Sequence, residues 1–417
     1  MEMRNSRRKF CIVVVLLWSF LITASGRSTI FNSQVKTLQV IVNGDWMSPP
    51  VMQLRGDVLH IGFDELSHTY HRYIYKLEHC EADWTPSEGL FESDWLEGFN
   101  GNPIEDYENS LNTTVLYTHY TLQIPNRQCR LKMSGNYRLH IYDEDNGDEE
   151  VLVVEFCVVE PLMDVGLGVT TNTDIGLNTR YQQVSMTVNY NGISVTNEDI
   201  QISTVVMQNG REDNMRRNVP YNYSTNKGLK WEHNRQLIFE GGNEYHKFET
   251  LALSHATMGI DRMAWDGQNY QAYPFVNEPR RNYVYDEDAD GAFIVRNSDN
   301  FEIDRTCDYV YVNYKLQPAN YYQDADIIVD GSWTTEQRDY YRMTYDENDH
   351  SYNASILQKQ GYYNYQYLMR DMDGTTHVVP EEGSFYETEN RYQALVYYKG
   401  ITERTWRLVG YQQIVVK

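Results

Sequence analysis

The chain has 417 residues, with 36 Lys plus Arg against 59 Asp plus Glu, for a formal net charge of −23. An excess of that size disfavours nucleic acid and anionic lipid as partners and favours basic protein surfaces or cations. The length exceeds what one β-sandwich holds and suits two or three domains.

Arg4, Arg7, Arg8 and Lys9 precede an apolar run from Phe10 to Ile22, followed by Ala24, Ser25 and Gly26. This is the pattern of a secretory signal peptide over residues 1–26, cut before Arg27, which places the mature protein in the periplasm. The run is short for a membrane span, and no cysteine stands at the cut to carry a lipid. Cys80, Cys129, Cys157 and Cys307 remain, enough for up to two disulfides in an oxidising compartment. A pair is expected among Cys80, Cys129 and Cys157 with its partners open, and Cys307 unpaired or buried.

Residues 27–160 read as a first β-sandwich domain, with strands at 37–42, 59–63, 70–77, 115–124, 137–142 and 151–159 punctuated by turns such as Asn43-Gly44 and Asn146-Gly147. In the third strand Tyr73, Tyr75 and Leu77 fall on one face by period-2 alternation. The connection to the fourth strand is far longer than usual and carries Trp84, Leu90, Phe91, Trp95, Leu96, Phe99, Ile104 and Tyr107. Two readings stand together: the aromatics pack over an open end of the sandwich, or the loop is a recognition surface on a rigid scaffold. Trp84, Trp95, Phe99 and Tyr107 are the candidate partner-binding anchors.

Residues 161–318 read as a middle β domain, with strands at 184–190, 200–207, 237–239, 245–252, 292–295 and 309–316. Within it Asp286, Asp288, Asp290 and Gly291 match the front half of an EF-hand loop, but Asn297 stands where the closing Glu belongs. An acidic hairpin tip between strands 283–285 and 293–295 is the preferred account, with calcium left open. Residues 319–417 are expected to form the last domain. Its order of strand 325–329, Gly331-Ser332-Trp333, strand 342–346, strand 352–357 and Gly361-Tyr362-Tyr363-Asn364-Tyr365 resembles early-set immunoglobulin-like domains related to glycogen-binding modules. The fold class is thus all-β, tandem immunoglobulin-like or early-set β-sandwiches.

No Gly-x-Ser-x-Gly elbow, Walker loop, HExxH or Rossmann fingerprint occurs, so catalysis, cofactor and metal site are not expected. His79 and Cys80 are adjacent and point to opposite faces of a strand, and His119 approaching Cys80 across paired strands reads as packing. The segments are too short and too charged on their outer faces for an outer-membrane barrel.

The opening loop also carries Tyr73-x-Tyr75, His79-Cys80, Asp83-Trp84, Ser87, Leu96-x-Gly98-Phe99, Ile104-x-x-Tyr107, Ser110-x-Asn112-Thr113 and Tyr117-Thr118-His119-Tyr120. With Lys359-Gln360-Gly361-Tyr362-Tyr363 and Glu382-Gly383-Ser384-Phe385 further on, the chain resembles the type IX secretion system plug protein family of Bacteroidota along nearly its whole mature length. Gln358 departs from the apolar residue expected before Lys359. The resemblance implies a periplasmic protein that docks on the periplasmic mouth of a very large outer-membrane translocon barrel and seals it in the absence of cargo. It implies no nucleic acid, no membrane insertion and no small-molecule substrate. The alternative is a periplasmic or cell-surface glycan-binding protein, suggested by the early-set pattern.

Overall fold

The computed structural model describes residues 27–416, and the expected signal peptide at 1–26 lies outside the described residues. Strand is the dominant regular structure of the described chain, and none of its helices exceeds four residues. The all-β expectation holds, as a set of mainly antiparallel sheets packed in pairs.

In the first unit one sheet runs in the order Thr29–Ile30, Glu149–Val159, Gly135–Asp143, Tyr73–Cys80, Asn102–Pro103, and the facing sheet in the order Val35–Val42, Leu59–Glu65, Thr118–Ile124, Asp106–Asn109. Tyr73, Tyr75 and Leu77 are buried as their alternation predicts. They meet Leu59, Ile61 and Phe63 of the second sheet, and Phe63 stacks on Tyr120 at 5.3 Å while Tyr73 meets Tyr120 edge-on at 4.8 Å. The strands flanking the long loop, Tyr73–Cys80 and Thr118–Ile124, therefore belong to opposite sheets. The connection between them crosses the sandwich, about 10 Å thick, and on the way adds the edge strand Asn102–Pro103 to one sheet and Asp106–Asn109 to the other.

The expected boundary at 318/319 does not survive. Tyr309–Leu316 pairs with Ser351–Lys359 within one sheet, so a cut there would divide it. Asn390–Tyr398 pairs on one side with Ile202–Gln208 and on the other with Arg407–Val416. One buried cluster accordingly joins Val184, Met186, Trp231 and Phe239 with Tyr392, Ala394, Val396 and Val409, while another runs from Phe248 to Val379. Divided by core, the second sandwich spans 161–240 with 390–416, and the third, 244–389, is inserted between its halves. Neighbouring segments usually pack together; a strand whose partner lies nearly two hundred residues away leaves no local sign of it.

Among the described residues no disulfide forms: Cys80, Cys129, Cys157 and Cys307 are all free and buried. Cys80 and Cys157 flank Asn136 on either side of one central strand. Two strand spacings of about 4.8 Å each exceed the span a disulfide bridges. Burial pushes the thiols of Cys80, Cys157 and Cys307 up to about 12. Ellman's reagent is therefore expected to leave these thiols unmodified in the native protein and to titrate all four after denaturation, and a reductant is expected to leave the melting temperature unchanged.

The units are joined by buried contacts. Between the first and third, Asp64 receives Lys359 Nζ at 2.7 Å, Tyr309 OH at 2.7 Å and, through its other oxygen, His119 Nδ1 at 2.6 Å. The Asp308 carboxylate accepts from the amides of Thr114 at 2.6 Å and Val115 at 3.0 Å. Between the first and second, Tyr397 OH donates to Asn136 Oδ1 at 2.8 Å, beside a cluster of Ala82, Cys157 and Val159 against Val205, Leu395 and Leu408.

Candidate functional site

The long loop opens with a tight turn at Glu81–Thr85, where the amide of Glu81 donates to Thr85 O at 2.7 Å and that of Trp84 to Glu81 O at 2.9 Å. Trp84 takes a φ of 69° and lays its ring, half-buried, against the cluster between the first and second units. Ser87 then joins His79 Nδ1 at 2.8 Å to Thr405 Oγ1 at 3.0 Å. Burial lowers the His79 pKa, against a hydrogen bond with Ser134 O, so His79 reads as a neutral tie between strands and loop.

A single helical turn, Glu92–Trp95, follows, with the Asp94 carboxylate accepting from the Phe91 amide at 3.0 Å. The turn drives Trp95 inward to 7 % exposure, edge-on to Tyr137 at 5.9 Å. Gly98 comes next with a φ of 108°, where a Cβ would lie 1.9 Å from Gln128 O. Only glycine fits there, and the bend it allows leaves Phe99 outside at 78 % exposure, its amide tied to Gln128 O at 3.1 Å. Phe91, 73 % exposed, stands before the helical turn and lies 5.9 Å from the Arg404 guanidinium. Tyr107 sits in the edge strand Asp106–Asn109, half-exposed and in contact with Tyr70 at 4.7 Å.

Of the four predicted anchors, Phe99 and Tyr107 thus face solvent. Trp95 belongs to the first core and Trp84 to the junction with the second unit, because the helical turn and the Glu81–Thr85 turn aim their rings inward. Sequence reasoning did not single out Phe91 and Tyr70, which are also exposed. Phe91 precedes a helical turn too short to show periodicity, and Tyr70 gains its role only from the Tyr107 ring across the fold.

Three other sequence readings resolve. His119 lies on the sheet opposite Cys80 and its partner is Asp64. The Asp286–Asp290 stretch is not a hairpin tip: Phe293–Val295 pairs with Gly361–Tyr363, and residues 283–285 form no strand. Asp286 pairs with Lys247 at 2.6 Å and Asp290 with Arg391 at 3.3 Å. Among the described residues no group of three or more His, Cys, Asp or Glu could hold a metal ion. Burial, with Asp290 close by, raises Asp288 to about 8. A carboxyl that keeps its proton longer in the folded state loses stability as pH rises from its unfolded pKa towards its folded one. Asp288→Asn is expected to flatten the decline of melting temperature between about pH 4 and pH 8, and added calcium to leave it unchanged in either protein. Trp333, the aromatic of the early-set pattern, is buried at 6 % with its indole N–H donating to Asn364 O at 2.8 Å, so it offers no face to a sugar.

Among the described residues no helix is long and apolar enough to cross a membrane. The family profile described as "Type 9 secretion system plug protein 1st domain" matches residues 35–160, the unit that carries Phe91, Phe99 and Tyr107. The crystal structure of a hypothetical protein from Parabacteroides merdae is similar at 33 % identity and a TM-score of 0.90, over 94 % of this chain and 99 % of that one. An enterococcal surface protein, partial N-terminal region, aligns over 93 % of this chain and 96 % of that one at 7 % identity and a TM-score of 0.18, below the likeness of a shared fold. No curated protein matches the chain. The first-domain match over residues 35–160 and the all-β build agree: the chain belongs to the type IX secretion system plug protein family, and its role is related to type IX secretion.

Proposed function

We propose that the protein is a periplasmic plug that docks on the periplasmic mouth of the type IX outer-membrane translocon barrel and seals it when no cargo is passing. The match of residues 35–160 to the plug family's first domain carries this reading. The physical features support it. A seal has to resist deformation, and the three sandwiches are joined by buried ionic and apolar contacts. It also has to adhere without inserting, and Phe91, Phe99 and the Tyr70–Tyr107 pair give the first unit exposed rings of the kind that anchor protein interfaces. An all-β secretion-family protein of this build acts by contact, without catalysis.

The test is outer-membrane permeability in a strain lacking the protein. Deletion is expected to admit a large antibiotic such as vancomycin, and the plasmid-borne protein to restore exclusion. Unchanged sensitivity in the deletion strain, with the translocon present, would overturn the sealing role.

A further inference from the structure

A trough of about 710 Å³ opens between the first and second units, away from Phe99 and the Tyr107 edge strand. One wall is the Glu81–Thr85 turn and the other is the short helix Glu198–Gln201 with the strand end at Lys399. The walls are fixed: Arg217 Nη1 donates to Ala82 O at 2.6 Å, the Trp406 amide to Glu81 Oε2 at 3.0 Å, and the Lys399 amide to Gln201 O at 3.0 Å. The floor is apolar, made by Ile202, Val219, Leu229 and Trp231, of which Trp231 is 2 % exposed. Four carboxylates, Glu81, Asp83, Glu198 and Asp199, line it against two cations, Arg217 and Lys399.

Hydrogen bonds from Ser224 hold Glu198 below the usual carboxylate range; for Asp83, bonds from Thr85 do the same in spite of partial burial. Glu198 and Asp83 therefore stay charged at neutral pH. Ile200, 65 % exposed, belongs to the trough's own lining, and Ile401, 79 % exposed, follows the lining residue Lys399 by two positions. An occupant that fills the floor and also covers these two isoleucines is longer than a small molecule. A partner that answers four carboxylates is cationic, and the formal charge of −23 steers such a partner inward. Troughs of this size at junctions between units are common ligand sites.

We infer that this trough binds an extended polypeptide segment with alternating basic and apolar side chains, presented by the protein on which the plug docks. The identity of that protein rests on the proposed function; the trough's preference for a basic peptide does not. The floor takes the apolar side chains and the rim takes the basic ones.

The experiment uses the full mature chain and a fluorescein-labelled peptide of alternating lysine and leucine, read by fluorescence anisotropy, with a glutamate–leucine peptide as comparison. The basic peptide is expected to bind and the acidic one not. Asp83→Asn with Asp199→Lys, in which asparagine keeps the turn's hydrogen-bond acceptor, is expected to weaken binding by about tenfold at unchanged melting temperature. Asp373→Asn with Asp346→Lys makes the same charge change on exposed positions of the third sandwich and is expected to leave binding as it was. Equal weakening by both pairs would reduce the effect to general attraction by an acidic surface and overturn the site, as would failure of the basic peptide to bind. If the basic peptide binds but the trough variant still captures the translocon at wild-type strength, the occupant assignment is overturned. If even the wild-type chain captures no translocon, the plug reading fails while the peptide arm still decides the trough.

Discussion

Lys359→Met is expected to destabilise the protein by about 3–5 kcal/mol, measured by urea unfolding at neutral pH. Lys359 and Asp64 are both fully buried, and the ammonium also donates to Asp304 O at 2.6 Å and lies 4.1 Å from the centre of the Tyr117 ring. Removing the cation leaves a buried carboxylate held only by His119 and Tyr309. Burial pushes the Asp64 pKa up, but the Lys359 charge and His119 outweigh it and hold the group below its usual 3.8. A carboxylate depressed in this way contributes stability above its unfolded pKa and loses it as pH falls through its folded one. The wild type is thus expected to lose this contribution only below about pH 4. In Lys359→Met burial meets less opposition, so acid unfolding is expected to move to higher pH. An unfolding midpoint and acid limb that match the wild type would show that the first and third units do not depend on this pair.

Trp95→Ala and Phe99→Ala are expected to separate packing from docking within one loop. Trp95 fills the first core against Tyr137, so its loss is expected to cost about 3–5 kcal/mol of stability. Translocon binding should persist wherever the variant is folded. Phe99 is 78 % exposed, so its loss is expected to leave the melting temperature unchanged and to weaken translocon binding by about 2 kcal/mol. Calorimetry and a binding titration on both variants check the pair. Weakened binding in folded Trp95→Ala with full binding in Phe99→Ala would reverse the assignment.

The strands of the first sandwich were legible because its alternation is local: Tyr73, Tyr75 and Leu77 announce their face within five residues. The insertion of the third sandwich into the second was not, since Asn390–Tyr398 finds its partner at Ile202–Gln208 and no local pattern records that distance. Gln358, read as a departure from an apolar position, is buried and accepts from Tyr314 OH at 2.7 Å; a tyrosine-rich core needs polar partners that an apolar pattern does not foresee. The aromatic content of the long loop was plain, but which rings point outward was decided by details below the reach of periodicity. A single helical turn took Trp95 in, and the left-handed backbone at Gly98 put Phe99 out. Lys359 stood within a recognisable block, yet its ionic role depends on Asp64 from the other end of the chain.

The central claim is association with the translocon, and the most direct measurement is a pull-down of the tagged mature protein from detergent-solubilised outer membrane. The account predicts recovery of a very large barrel protein, reduced for Phe99→Ala. Recovery of no barrel, together with retention of the protein on immobilised polysaccharide, would contradict it in favour of glycan binding.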